Sequence, residues 1–388
     1  MDGERFDVAI VGGGPGGSAA AITLARAGRR VVLIEADTFP REKLCGEFLS
    51  GESRAILADL GCLDTIAARN PPESRTMRFI ERGGRAVTVA LPHPALGVSR
   101  HLLDVTLFRR ATEAGADTRE GVRITSLETA GDGVTLTAPD GGRVTADVLV
   151  AAWGRHSPLD RRDASTPAAP GKPSFLGFKR PHRFAADATG RMAEAELAGG
   201  GEMFLFDGGY CGISRIEGGL VSVCALARGG AGGPRGWAET MERAAADNPA
   251  LGARLAGLVV CEDRPVLATG VWGFTSGPLH ADGGRVIRVG DAAGMIAPLC
   301  GDGQAMAMDS GRRLGSMLAG AWDTATRPGG QEFARRWEAA WHGAYTTRMG
   351  LARNLQTAAM CPRIAGPLVR VLSAFPAAAN QLARRTRG

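Results

Sequence analysis

The chain has 388 residues, 44% of them hydrophobic and 22% charged, enough to bury a large core in two domains or one composite domain. Its net charge of +6 comes from arginines scattered along the chain, with lysines only at Lys43, Lys172 and Lys179. With no basic run interleaved with aromatics, nucleic acid is not an expected partner, while weak affinity for acidic substrates or membrane surfaces stays open. No stretch nears the roughly 18 unbroken apolar residues of a spanning helix, and the opening "MDGERFDVAIVGGG" is not a secretory signal, so a cytoplasmic location is expected. The cysteines at 45, 62, 211, 224, 261, 300 and 361 are odd in number and never closely paired, so neither a metal site nor a disulfide framework is expected.

The first element is an apolar run, "FDVAIV", read as a strand. A turn, "GGGPGG", and a helical stretch, "SAAAITLARAG", lead from it to a second strand in "RRVVLIEAD". Gly12, Gly14 and Gly17 match the G-x-G-x-x-G fingerprint, in which missing side chains permit the tight turn, close pyrophosphate approach and close helix packing. Pro15, in the turn, is expected with these glycines among the cofactor-binding residues, and the helix N-terminus offers free N–H groups and a positive dipole end to phosphates. Glu35, with Ala36 beside it, closes the second strand 18 residues after Gly17. A carboxylate there accepts hydrogen bonds from ribose hydroxyls and repels a 2′-phosphate, so the bound dinucleotide is expected to be FAD or NAD, not NADP.

Next comes "FPREKLCGEFLS", with Cys45 between charged residues. Arg41 and Lys43 would favour its thiolate if they approached it. "GVSRHLLDVTLFRR" places Ser99 and Arg100 at a helix start, and "TSLETAGDGVTLTAPDGGRVTADVLVAAWG" alternates as strands around two turns. Strand-like runs continue through "RTMRFIERGGRAVTVALP", "FLGFKRPH" and "GEMFLFDGGYCGISRIEGGLVSVCALA", with a helix near "WAETMERAAADNPALGARLAG". Lys179 and His182 are expected at a solvated strand end, with contact to an acidic substrate group as the alternative, and His156 on a surface turn, with the cofactor's periphery as the alternative. "LVSVCALARGGAGGPRGW" cannot place three glycines at the fingerprint spacing and reads as a strand running into a loop. Further on, residues 283–315 read as a strand, then Gly290 and Asp291, a loop, and a "GDG" at Gly301–Gly303 that opens a helix. Asp302 is expected to cap that helix. The C-terminal part reads as helices separated by prolines, with Trp337 and Trp341 one turn apart as a core or lid contact.

The stretch around Gly290 and Asp291 resembles the second FAD motif of the flavoprotein hydroxylase superfamily, which includes p-hydroxybenzoate hydroxylase-like monooxygenases, flavin-dependent halogenases and geranylgeranyl reductases. The resemblance implies that Asp291 binds a ribityl hydroxyl and that the helix after Gly301 and Gly303 aims its N-terminus at the flavin pyrimidine ring. It also implies that Arg100 reaches the ribityl and phosphate region. Pro-Arg-x-Lys-x-Cys-Gly at residues 40–46, containing Arg41, resembles the geranylgeranyl reductase branch most closely. There the cysteine lies near flavin and substrate, which makes Cys45 the catalytic candidate, with a cavity-wall role as the alternative. Trp153 stands where the superfamily has an aspartate that helps organise the pyridine-nucleotide region. NADH or NADPH is therefore expected only as a transient electron donor, or else a separate reductase supplies electrons.

The implied fold is α/β: a discontinuous Rossmann-type FAD-binding domain (residues 1–75, 99–165 and 265–325), an inserted mixed β-sheet substrate domain (76–98 and 166–264) and a C-terminal helical region (326–388). The stretch "YCGISRIEGG" lacks the aromatic pattern of the lipid reductases, and the halogenase Trp-x-Trp-x-Ile-Pro motif is absent. The expected function is thus an FAD-dependent monooxygenase of secondary metabolism, acting on an aromatic or polyketide-like lipophilic metabolite. Flavin-dependent reduction of carbon–carbon double bonds is the alternative, and a non-catalytic lipid-binding scaffold the second. The basic tail "LVRVLSAFPAAANQLARRTRG" leaves peripheral membrane contact as an option.

Overall fold

A computed structural model describes residues 4–131, 133–155, 157–159, 174–230, 232–271, 273–274, 276–322 and 328–386. His156 lies outside the described residues. In chain order, β1 (Arg5–Val11), α1 (Pro15–Arg26) and β2 (Val31–Ile34) form the expected strand, helix and strand. The Cys45 loop leads to β3 (Phe48–Leu49), α2 (Glu52–Asp59), α3 (Leu63–Ala67), β4 (Glu73–Ile80) and β5 (Ala86–Gly97). Next are α4 (Arg100–Glu113), β6 (Asp117–Arg119), β7 (Ser126–Ala130), β8 (Gly133–Thr137) and β9 (Arg143–Ala151). They are followed by β10 (Phe175–Phe184), α5 (Ala188–Glu196), β11 (Gly200–Phe206), β12 (Gly209–Ile216), β13 (Leu220–Arg228), α6 (Trp237–Asp247) and α7 (Pro249–Ala256). The remainder comprises β14 (Leu258–Val260), β15 (Leu267–Val271), β16 (His280–Ala281), β17 (Val286–Arg288), α8 (Gly303–Trp322), α9 (Gln331–Ala359), α10 (Pro362–Ala374) and α11 (Pro376–Arg385).

The first sheet runs β16-β17-β9-β1-β2-β6, with β17, β9, β1, β2 and β6 parallel and the β7–β8 hairpin laid on β9. Its central strands are apolar on both faces, as a sheet covered on both sides requires. α1 packs against α8 through small residues: a Cβ on Gly311 would come within 2.0 Å of the Gly16 carbonyl oxygen. That proximity brings the N-termini of both helices to the same region.

The second sheet runs β14-β10-β13-β12-β11-β4-β5-β3, with β15 also on β10. Its strands alternate, so Phe204, Phe206, Ile213 and Val223 pack with Met241, Ala244 and Leu251 of α6 and α7 on one side. Met203, Leu205, Val87 and Val89 belong to the cluster that joins the first sheet's core to α9–α11. The single helix expected near residues 237–257 is two helices, parted at Asn248. That side chain caps α7 at Leu251 N–H (3.4 Å) and donates to the carbonyls of Ile80 (3.2 Å) and Leu205 (3.0 Å). Trp337 and Trp341 are fully buried core residues of α9. Among the described residues, no helix is long and apolar enough to cross a membrane.

Candidate active site

A cavity of about 980 Å³ opens between the two sheets. Gly12, Gly14, Pro15, Glu35, Ala36, Arg41, Cys45, Arg100, Gly290, Asp291, Gly301 and Gly303 all line it; of the sequence-selected residues, Gly17 alone sits behind the wall. Gly17 is structural in the strict sense, since a Cβ there would lie 1.9 Å from the Gly12 carbonyl oxygen. Gly12 has φ +110°, and its Cβ would stand 2.3 Å from the Ala152 carbonyl oxygen. Gly14 is different. It precedes α1 in an extended conformation with no side chain capping the helix, and a Cβ on it would meet only Arg41 and Arg100 guanidinium nitrogens, each at 3.8 Å. The open helix start and two cations converge on one point, as a pyrophosphate site requires.

Glu35 is buried and holds this turn. One carboxylate oxygen accepts from Gly13 N–H (2.7 Å); the other accepts from Asp37 N–H (3.0 Å) and pairs with Arg41 (2.7 Å). Arg41 also meets Asp37 (3.0 Å) and Asp104 (3.2 Å). Arg100 is not a solvated helix-start residue: its guanidinium grips Asp104 through two bonds of 2.6 and 2.7 Å. Ser99 caps α4 at Leu102 N–H (3.0 Å), as its position in the sequence suggested, and both its N–H and its hydroxyl donate to Glu217 in the turn between β12 and β13.

Across the cavity, Gly290 (φ +58°) and Gly301 (φ +73°) shape the second motif. Gly290 N–H donates to Ser310 Oγ at 2.9 Å, and Asp291 stands open to the cavity with Arg155 Nε 3.9 Å away. α8 begins at Gly303, on the cavity wall. The Asp302 carbonyl accepts from Met306 N–H at 3.0 Å, while its buried carboxylate lies 3.9 Å from Arg348.

Cys45 is a wall residue whose sulfur accepts from Gln304 Nε2 (2.7 Å) and Glu47 N–H (3.4 Å). Arg41 and Lys43, which would favour its thiolate if they approached it, face other groups: Arg41 pairs with three carboxylates, and Lys43 with Asp37 at 2.8 Å. Burial pushes the Cys45 thiol up and outweighs the opposing field of Arg100, so it is a neutral thiol. All seven cysteines are free.

Sequence reasoning missed the centre of this loop. Lys179, expected in solvent, is 1% exposed, with Nζ 2.8 Å from Glu42 and 2.5 Å from Glu47. Glu42 in turn pairs with Arg264 at 2.5 Å. Glu47 Oε1 also accepts from Arg100 N–H (3.1 Å), whereas its Oε2 is buried without a partner among the described residues. Its backbone sits at φ +57°, a conformation rare outside glycine that these bonds hold in place. Burial pushes Glu47 up, and Lys179 only partly offsets it; burial also opposes ionisation of Glu42, but Lys179 and Arg264 prevail and hold it down. His182 is likewise buried, with Nδ1 2.9 Å from the Arg180 carbonyl oxygen, and burial lowers its pKa so that it stays neutral. A usable signal existed: in a chain that uses arginine almost everywhere, Lys43 and Lys179 are the described lysines, and both serve this loop.

The donor set suits an elongated anionic dinucleotide: glycines where a Cβ would intrude, two guanidinium groups at an open helix start, and Asp291 facing the cavity. Residues 5–175 match the family model described as FAD binding domain. The chain is similar to a menaquinone reductase of Mycobacterium tuberculosis, 36% identical over 166 residues, which covers 41% of this chain and 40% of the reductase. It is also similar to a rifampicin monooxygenase of Streptomyces venezuelae, 30% identical over 184 residues, covering 44% of this chain and 36% of the monooxygenase. The chain thus aligns with under half the length of either relative. In three dimensions it has the fold of the flavin-dependent brominase Bmp2, with a TM-score of 0.79 over 99% of this chain and 93% of the brominase at 19% identity.

Proposed function

We propose that the protein is an FAD-dependent oxidoreductase of monooxygenase type, acting in the cytoplasm on an aromatic or polyketide-like lipophilic metabolite. One observation carries this reading: the FAD cradle and an apolar chamber are two ends of a single cavity. Bound FAD supplies electron transfer and, once reduced, oxygen activation. The chain's own residues bind, orient and exclude water. Arg41 and Arg100 would hold the pyrophosphate, Asp291 a ribityl hydroxyl, and the start of α8 would stabilise negative charge at the flavin's pyrimidine edge. Met203, Leu205 and Leu226 line the chamber and would keep water from the reacting atoms. Cys45, a neutral thiol bonded to Gln304, supports a wall role better than a nucleophilic one.

Trp153 lines the cavity, and the glycines after β13 are a loop leading to α6, which supports transient use of NADH or NADPH, or a separate reductase, as electron source. The test is reduction of the FAD-loaded protein with each nucleotide, followed by oxygen uptake with and without a lipophilic phenol. Substrate-dependent uptake, with a product heavier by one oxygen atom, is the expected result; turnover that persists without oxygen would overturn it. The second reading is reduction of a carbon–carbon double bond, as in geranylgeranyl reductases. It is supported by the Cys45–Gly46 segment on the cavity wall and by the similarity to a menaquinone reductase.

A further inference from the structure

The cavity has two chemically distinct ends. Around Gly14 it is ionic, but where it passes between the second sheet and the C-terminal helices its lining from β4, β5, α10 and α11 carries no charged side chain, and the neighbouring Glu202 of β11 is paired with Arg254 (2.7 Å) and Arg78 (3.3 Å). One wall is the face of β5 that carries Val87, Val89 and Leu91, extended by Met77 and Phe79 of β4. The opposite wall is made by Leu368, Val369 and Leu372 of α10 with Leu382 and Ala383 of α11. Thr386, at the end of α11, donates its hydroxyl hydrogen to the Ala383 carbonyl at 2.9 Å, which leaves that hydroxyl only as an acceptor. The helical wall is fastened, because Asn380 Oδ1 accepts from Ala90 N–H of β5 at 2.9 Å.

We infer that this arm is a binding site for a linear alkyl chain, carried by a substrate whose head group lies at the Cys45 and Gln304 end. Val87, Val89 and Leu91 project from one strand face over about 14 Å at about 3.4 Å per residue, the length of an extended chain of about ten carbons. A strand face opposed to a helix face leaves a slot, which fits a flexible unbranched chain. The apolar lining makes the gain in affinity proportional to the carbons it buries, about three- to fourfold per methylene. The inference rests on the proposed oxidoreductase reading only for what happens at the head group.

Binding to oxidised, FAD-loaded protein tests the arm without turnover. Phenol and 4-alkylphenols with two, four, eight and twelve carbons are titrated by calorimetry and by perturbation of the flavin spectrum. The expected result is a Kd that falls about three- to fourfold per methylene and levels off near ten carbons. Leu372→Trp and Ala383→Trp, which fill the arm from separate helices, are expected to keep FAD and phenol binding and to abolish the chain-length gain. A flat series in the unaltered protein overturns the inference. So does a slope that survives in both variants, which would place the chains on the outer surface. Chain binding with no substrate-dependent oxygen uptake would defeat the monooxygenase reading and leave the arm standing.

Discussion

Replacing Lys179 with methionine removes the one cation that lies between Glu42 and Glu47, both within 2.8 Å of its Nζ. Methionine keeps the length of the side chain but leaves Glu47 as a buried carboxylate facing only Arg100 N–H. Breaking one partner out of a buried ion pair costs about 3–5 kcal/mol, a hundredfold to several-thousandfold shift toward the unfolded state. The loss should depend on pH. Burial opposes the charge on Lys179, but Glu47 and Glu42 outweigh it and raise its pKa; its contribution is present below the ordinary lysine value and disappears only as pH rises through the raised one. Glu42 is held down, so its contribution is present above the ordinary glutamate value and disappears as pH falls through the lowered one. Glu47 works in the opposite sense: burial raises it, so the fold prefers its protonated form and stability falls as pH rises above the ordinary glutamate value. Without Lys179 that rise is larger, and protonation at low pH relieves the stranded charge. Urea unfolding followed by circular dichroism should therefore show Lys179→Met losing about 3–5 kcal/mol at pH 8 and recovering part of that loss at pH 5. Adding Glu47→Gln should flatten the difference. A loss below about 1 kcal/mol at pH 8, or the same loss at both pH values, would refute the reasoning.

Two glycine substitutions should separate folding from binding. Gly17→Ala forces a Cβ to within 1.9 Å of a carbonyl and should yield little folded protein, whereas Gly14→Ala should keep the thermal midpoint of the apoprotein yet bind FAD far more weakly, by fluorescence titration. Arg100→Ala should weaken FAD about tenfold to hundredfold, as expected for a charge-assisted hydrogen bond, and the loss should shrink at high salt. Cys45→Ser should retain at least about half of the turnover, because a neutral thiol raised by burial serves as wall and acceptor; loss of the flavin spectrum's normal shape or of all turnover would restore a chemical role.

What could be read from the sequence was whatever a short backbone segment determines by itself. The glycine fingerprint, the helix start at Ser99 and the start of α8 depend on neighbours a few residues away, and all stand where their spacing puts them. Lys179 could not be read this way. Its partners lie 132 and 137 residues earlier, and the alternation of "FLGFKRPH" says that it opposes Phe178, not what covers it. The apolar arm was hidden for the same reason, since β5 and α11 meet only through contacts such as Ala90 to Asn380, 290 residues apart. The break at Asn248 was legible in the Asn248–Pro249 pair, a helix cap followed by a helix-opening proline, and was overlooked because the helical spacing runs on both sides of it.

These long-range bonds share a geometry. Lys179 ties the Cys45 loop of the FAD-binding half to β10 of the second sheet, and Ser99 ties the start of α4 to Glu217 between β12 and β13. On the far side, Gln356 Oε1 of α9 accepts from the Tyr210 hydroxyl (3.4 Å) and from Leu299 N–H (3.3 Å) in the loop before α8. Tyr210 is buried and its hydroxyl stays protonated, so it acts as a donor throughout. Each link joins a segment that lines the FAD cradle to one that lines or supports the apolar chamber. A reaction between a bound cofactor and a bound metabolite depends on their separation being held to a fraction of an ångström. The two halves are therefore fastened around the cavity by buried polar bonds, whose directionality fixes register where apolar packing alone would allow the sheets to slide.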